Sequence, residues 1–273
     1  MSWEIGLSTG IAYELPILDV LPAIARAGFR SVEISTAPGH LRQGDSGSVA
    51  AVRRVMDELG LRAHSLHAPF GTHANFTSLD RAERQSAMKE MAAASVALET
   101  LGGHLFVVHP GGEDPHWSWQ RGAHLKQSVE SLTAMWSDCR ARRQTLVVET
   151  PLPHLLGGQP DDFAWILERL PREGVGVCLD TSHTSLGGFL FEAIERLGPR
   201  LVHVQASDNR GHTDDHLVPG EGIIDWRRVH AALSNAAYRG VFMLEVTAQG
   251  SLDERMFRAG AVLPARNDDA TAH

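Results

Sequence analysis

The chain has 273 residues, 43% hydrophobic and 21% charged, a size that suits one large barrel or two small domains with a substantial core. Its net charge of −8 argues against a general nucleic-acid or membrane-surface role, and no run of about 18 apolar residues offers a membrane span. Two cysteines, Cys139 and Cys178, cannot build a disulfide framework, and "MSWEIGLSTG" lacks the segments of a signal peptide, so a reduced, cytoplasmic protein is expected.

From the N-terminus, Val-, Ile- and Leu-rich runs alternate with segments of helical period. Strand 3–8 precedes helix 17–27, strand 30–34 precedes helix 47–59, and strand 63–67 precedes helix 80–101. Strand 104–109 leads to helix 117–142, and strand 145–149 to helix 161–170. Strands 175–180, 201–205 and 240–245 are followed by helices 189–197, 225–237 and 252–262. Eight strands strictly alternating with eight helices predict a single (β/α)₈ TIM barrel over residues 1–263, with "PARNDDATAH" (264–273) as a flexible tail. A doubly wound sheet would carry a Gly-rich phosphate turn after its first strand, and none is visible. Only two lysines occur, Lys89 and Lys126, both inside helical segments, which nearly closes the route to Schiff-base chemistry.

Six consecutive predicted strands finish with a potential metal ligand. Strand three ends at His67, strand four at His109, strand five at Glu149, and strand six at Asp180 with His183 three residues on. Strand seven carries His203 and Gln205, and strand eight Glu245. Residues two apart share a face, so Glu149 points where Val147 points, Glu245 goes with Met243, and His109 with Val107 and Leu105. Each candidate is then the last inward residue above apolar layers, at the end of a barrel where active sites are built. Charge there carries a large desolvation penalty unless it is paired or metal-bound. One such group reads as a satisfied core residue; six in register predict a metal site.

These residues resemble the xylose-isomerase-like barrels, which include sugar isomerases and epimerases, inosose dehydratases and endonuclease IV. The resemblance rests on "VET" (148–150), "LDTSH" (179–183), "HVQASDN" (203–209), "LVPGEG" (217–222) and "LEV" (244–246). By position, the single-metal site of the epimerase branch falls on Glu149, Asp180, Gln205 and Glu245. Gln205 stands where the family more often has histidine, and its harder oxygen donor leans the site towards Mn²⁺ or Mg²⁺. The larger ligand set of the endonuclease branch corresponds to His67, His109, His183, Asp214 and His216, where Zn²⁺ is expected if a multinuclear cluster forms. "TDDH" (213–216) is then a ligand loop over the barrel mouth, with Asp215 and His212 left to solvent.

The resemblance implies metal-assisted proton transfer on a sugar- or polyol-derived hydroxy-carbonyl compound. Glu149 and Glu245 serve as the acid–base pair, and His183 and Arg210 contact the substrate. Two alternatives stay open: a multi-metal phosphoesterase, which the extra ligands favour, and a keto-sugar lyase or dehydratase. The rim loops are poor in Lys and Arg, so a small sugar-like substrate is expected and DNA is not. The resemblance also suggests a homodimer.

Overall fold

Short apolar runs form β1 (Ile5–Ser8), β2 (Ser31–Ser35), β3 (Arg62–His67), β4 (Leu105–Val108), β5 (Thr145–Glu149), β6 (Val175–Asp180), β7 (Leu201–Ala206) and β8 (Phe242–Leu244). In the computed structural model, which describes residues 3–114, 116–247 and 249–263, all eight pair in parallel with their sequence neighbours. β1 pairs with β8 and closes the barrel. The expected tail at 264–273 lies outside the described residues.

Alternation sorts the strand residues into two apolar populations. Leu105, Val107, Val147 and Cys178 pack together in the barrel interior. Phe106, Val108, Leu146, Val148, Val177 and Leu179 join a separate, larger core between strands and helices. That core is completed by α1 (Ile17–Ala27), α2 (Ser46–Leu59), α3 (Arg81–Leu101), α4 (Arg121–Ala141) and α5 (Pro160–Arg169), and beyond them α7 (Leu190–Leu197), α8 (Trp226–Asn235) and α9 (Leu252–Gly260), while the short α6 (Thr181–Leu186) adds no residue to it. No helix among the described residues is long and apolar enough to cross a membrane.

The connections are unequal, which places the site. α2 and α3 end on left-handed glycines, Gly60 (φ +66°) and Gly102 (φ +76°), which return the chain to a strand within three residues. The connections leaving strands are long, as in 68–80, 109–120 and 207–225, and they build the mouth at the carboxyl ends of the strands.

The structure departs from the sequence expectation in three details. A ninth helix, α6, stands directly after β6; its six residues are too short to display a helical period, and Asp180 starts it by accepting the His183 N–H at 2.7 Å. The first turn expected of helix 117–142 is a 3₁₀ turn over Trp117–Gln120. β4 stops at Val108 and β8 at Leu244, so His109 and Glu245 lie one residue beyond their strands. Pro110, lacking an N–H, cannot extend β4.

Candidate metal centre

Glu149, the last residue of β5, is 1% exposed and faces three histidines delivered by three other segments. His67 Nε2 lies 3.1 Å from its Oε2, and His109 Nε2 and His183 Nδ1 lie 3.3 and 3.4 Å from its Oε1. Asp180 closes the other side, its Oδ1 lying 3.7 Å from His183 Nδ1. Two groups emerge whose ligand atoms lie within 4.8 Å of one another: His67–His109–Glu149 and Glu149–Asp180–His183. Both share Glu149.

Three histidines have one ring nitrogen fixed by a backbone carbonyl. His67 Nδ1–H donates to Ala68 O at 2.9 Å, His183 Nδ1–H to Thr150 O at 3.0 Å and His216 Nδ1–H to Glu245 O at 3.0 Å. Such bonds set the tautomer and aim the lone pair of the other nitrogen, as in histidine metal ligands. Glu149 Oε1, Asp180 Oδ2 and His109 Nδ1 are buried without a hydrogen-bond partner. Orphaned carboxylate oxygens beside aimed imidazoles are a costly arrangement for a protein alone. Imidazole and carboxylate donors in this number fit a divalent cation.

The loop after β7 reaches back over this cluster. Asp214 Oδ2 lies 3.1 Å from His183 Nε2 and 2.9 Å from His216 Nε2, while Ser182 Oγ–H donates to Asp214 Oδ1 at 2.6 Å. His216 adopts φ +45°, uncommon for a residue with a side chain. It is held there at both ends, because its carbonyl also accepts the Thr247 N–H at 2.9 Å. Asp215 turns away, accepting from Arg210 N at 2.9 Å and Thr213 Oγ at 2.9 Å, and His212 is exposed. Arg210 stands apart from the cluster. Its side chain is 65% exposed and pairs with Asp215 at 3.7 Å.

Gln205 lies at the end of β7, fully buried, but its amide engages groups below the cluster. Its Nε2–H donates to Glu33 Oε1 at 2.9 Å, and its Oε1 accepts the Cys178 S–H at 3.0 Å. Glu33, on β2 and also fully buried, accepts from Ser65 Oγ at 2.7 Å and lies 2.9 Å from His203 Nε2. Sequence reasoning missed Glu33. The available signal was an acidic residue between Val32 and Ile34 in a strand buried on both faces.

Burial opposes ionisation of Glu149, yet His109, His183 and His67 outweigh it and hold the carboxyl well below the usual range. Burial pushes Glu245 up to about 8, with the charges of Glu149 and Asp180 acting in the same direction. It likewise pushes Asp180 to about 6. Burial disfavours charge on His67 and His216 as well, but Glu149 and Asp214 respectively lift them to about 10. Glu149 is thus held ionised, as is Asp214 beside His183 and His216, whereas Asp180 and Glu245 are pushed the other way. His67, Asp214, His216 and Glu245 open onto a cleft of 480 Å³ shared with Ser8, Ser35 and Phe70. That volume suits a small molecule. Phe70 stacks on His109 with centroids 4.0 Å apart. No Lys or Arg is among the residues lining the cleft.

Comparison with known proteins agrees with this architecture. A Sinorhizobium fredii protein whose name assigns no activity is 27% identical over 249 residues, 83% of this chain and 80% of its own. D-psicose 3-epimerase of Agrobacterium fabrum is 24% identical over 264 residues, 90% of this chain and 87% of its own. The crystal structure of a D-tagatose 3-epimerase-like protein superposes with a TM-score of 0.84 at 22% identity, covering 95% of both chains. That of the IolI protein with a binding zinc atom superposes at 0.80 and 17% identity, covering 94% of this chain and 95% of its own. The sequence profile of the xylose isomerase-like TIM barrels matches residues 21–263, nearly the whole barrel. With the closed eight-stranded barrel, that match makes the chain a member of the xylose isomerase-like TIM barrel family.

Proposed function

We propose that the chain is a divalent-metal-dependent isomerase or epimerase acting on a sugar- or polyol-derived hydroxy-carbonyl compound. The observation that carries this reading is a pair of carboxylates gathered around His67, whose Nε2 lies 3.1 Å from Glu149 and which lines one cleft with Glu245. Such a pair suits the removal and return of a proton at one carbon. The relatives named as sugar epimerases support the reading.

The cation would be held by Glu149, Asp180 and Glu245, with His67, His109, His183, Asp214 and His216 as further ligands. Mn²⁺ or Mg²⁺ suits the oxygen-rich part of this set, and Zn²⁺ its histidines. Gln205 joins only if its amide oxygen leaves Cys178. When bound, the cation supplies Lewis-acid polarisation of a carbonyl oxygen, which acidifies the neighbouring C–H. The protein's own groups do the rest. Glu245 and Glu149 exchange the proton at their carboxylate oxygens, and His183 holds a substrate hydroxyl once its Nε2 leaves Asp214. Phe70 covers one side of the site. A substrate contact by Arg210 requires its guanidinium to leave Asp215. A cleft lined by hydroxyl groups and free of Lys and Arg favours an unphosphorylated substrate. A keto-sugar lyase or dehydratase would share the proton abstraction and differ only in expelling a leaving group.

The two ligand groups sharing Glu149 favour a second reading, phosphoester hydrolysis by closely spaced metals. One experiment separates the two. With a panel of ketoses and Mn²⁺ in deuterium oxide, the wild-type chain should incorporate deuterium beside the carbonyl. Glu245→Gln should lower that rate about 10²–10⁴-fold while retaining the fold. Near-wild-type exchange in the variant would remove Glu245 from the acid–base pair. Absence of exchange together with chelator-sensitive phosphoesterase activity would install the second reading.

A further inference from the structure

The ligand loop is folded around a carboxylate that the proposed chemistry does not use. Asp208, two residues beyond β7, is fully buried and accepts four hydrogen bonds. They come from Asn209 N at 2.9 Å, Gly220 N at 3.0 Å, Ile224 N at 3.1 Å and the Trp226 indole N–H at 2.8 Å. Its backbone also exchanges both hydrogen bonds with Leu217, at 2.8 and 2.9 Å. One side chain thus joins the start of the loop, its "PGEG" turn and the first residue of α8. Gly222 is required by this packing, because a Cβ there would lie 2.2 Å from Asp208 Oδ1 and 2.2 Å from Asn209 O.

The next residue carries the order to the metal cluster. Asn209, fully buried, donates from Nδ2 to Ser182 Oγ at 3.1 Å and accepts Gly211 N at 2.8 Å. Ser182 in turn donates to Asp214 Oδ1. That occupies one oxygen of Asp214 and leaves the other between His183 and His216. Isolated loops with polar tips sample many conformations, and ordering them costs entropy. Here four donors around one buried acceptor set that order in advance.

We infer that Asp208 is the positioning residue of the metal centre, presenting Asp214 and His216 to the cation in a preformed geometry. This rests on the metal-dependent reading above. Asp208 acts through the loop and touches neither substrate nor cation. An asparagine at this position offers one oxygen and an NH₂ group, so it cannot accept from all four donors. Gly222→Ala disturbs the same carboxylate while retaining its charge.

The test is titration of the chelator-treated full chain with Co²⁺, followed by the visible spectrum, with circular dichroism and limited trypsinolysis alongside. Asp208→Asn and Gly222→Ala should keep the barrel dichroism and bind Co²⁺ about tenfold to a hundredfold more weakly, the usual scale for supports of metal ligands. Their cobalt spectra should change, and trypsin should cut faster after Arg210. If Asp208→Asn fails to fold, Gly222→Ala decides. Wild-type affinity and spectrum in the folded variants would overturn the inference, even with faster trypsin cleavage, because Asp208 would then be merely structural. Wild-type protein that takes up no Co²⁺ would overturn the metal reading and this inference together.

Discussion

Glu149 sits among three histidines with its carboxyl held ionised, and the charge balance of the centre follows from that contact. His67 and His216 are lifted to about 10, and His183 is raised well above its ordinary value against the penalty of burial. In chelator-treated protein these groups bind protons more tightly when folded than when unfolded, where histidine titrates near 6.5. The stabilisation from His67 and His216 is complete below about pH 6.5 and is lost as pH rises towards about 10. Glu245, raised to about 8, adds to the loss within that window. The melting temperature of stripped protein should therefore fall between pH 6.5 and 10. Saturating Mn²⁺ should flatten the decline, since a cation displaces those protons. A melting temperature that stays level or rises in the stripped protein would contradict the assignment.

At the scale of elements, Asp162 in α5 is 1% exposed and pairs with Arg121 at the start of α4, accepting from Arg121 Nε at 3.0 Å. Arg121→Ala should cost about 1–3 kcal/mol, the scale for leaving a buried acceptor unsatisfied. Urea unfolding should show that loss while metal content stays unchanged, because the pair lies outside the cluster. The strands and most helices were legible because the two periods differ and the turns are marked by glycine, proline and aspartate. The inward facing of the strand ends was legible from alternation: Val147 beneath Glu149 is inside the barrel, as the pattern required. The rest was hidden for physical reasons. α6 is held by one side-chain cap and has too few residues for a period. Glu33 meets Gln205 across 172 residues of chain, so nothing local announces the pair that turns Gln205 away from the cluster. Nothing in the polar run "SDN" announced that Asp208 and Asn209 are both fully buried.

For the whole molecule, a net charge of −8 and a cleft without lining Lys or Arg bear on which partners can enter. Phosphate contacts from Lys and Arg supply most non-specific affinity for DNA. The chain should show no binding to duplex DNA by fluorescence anisotropy at physiological salt. Chelator-sensitive cleavage of abasic DNA at low protein concentration would reverse that expectation. The central claim, that strand ends and one loop assemble a divalent-metal centre on Glu149, is tested most directly by elemental analysis of protein purified without chelator. Wild-type chain should carry at least one equivalent of divalent metal. Glu149→Gln, with unchanged circular dichroism, should fall to background, because both ligand groups share that carboxylate. Metal-free wild-type protein that takes up none on addition, or undiminished metal in Glu149→Gln, would contradict the account.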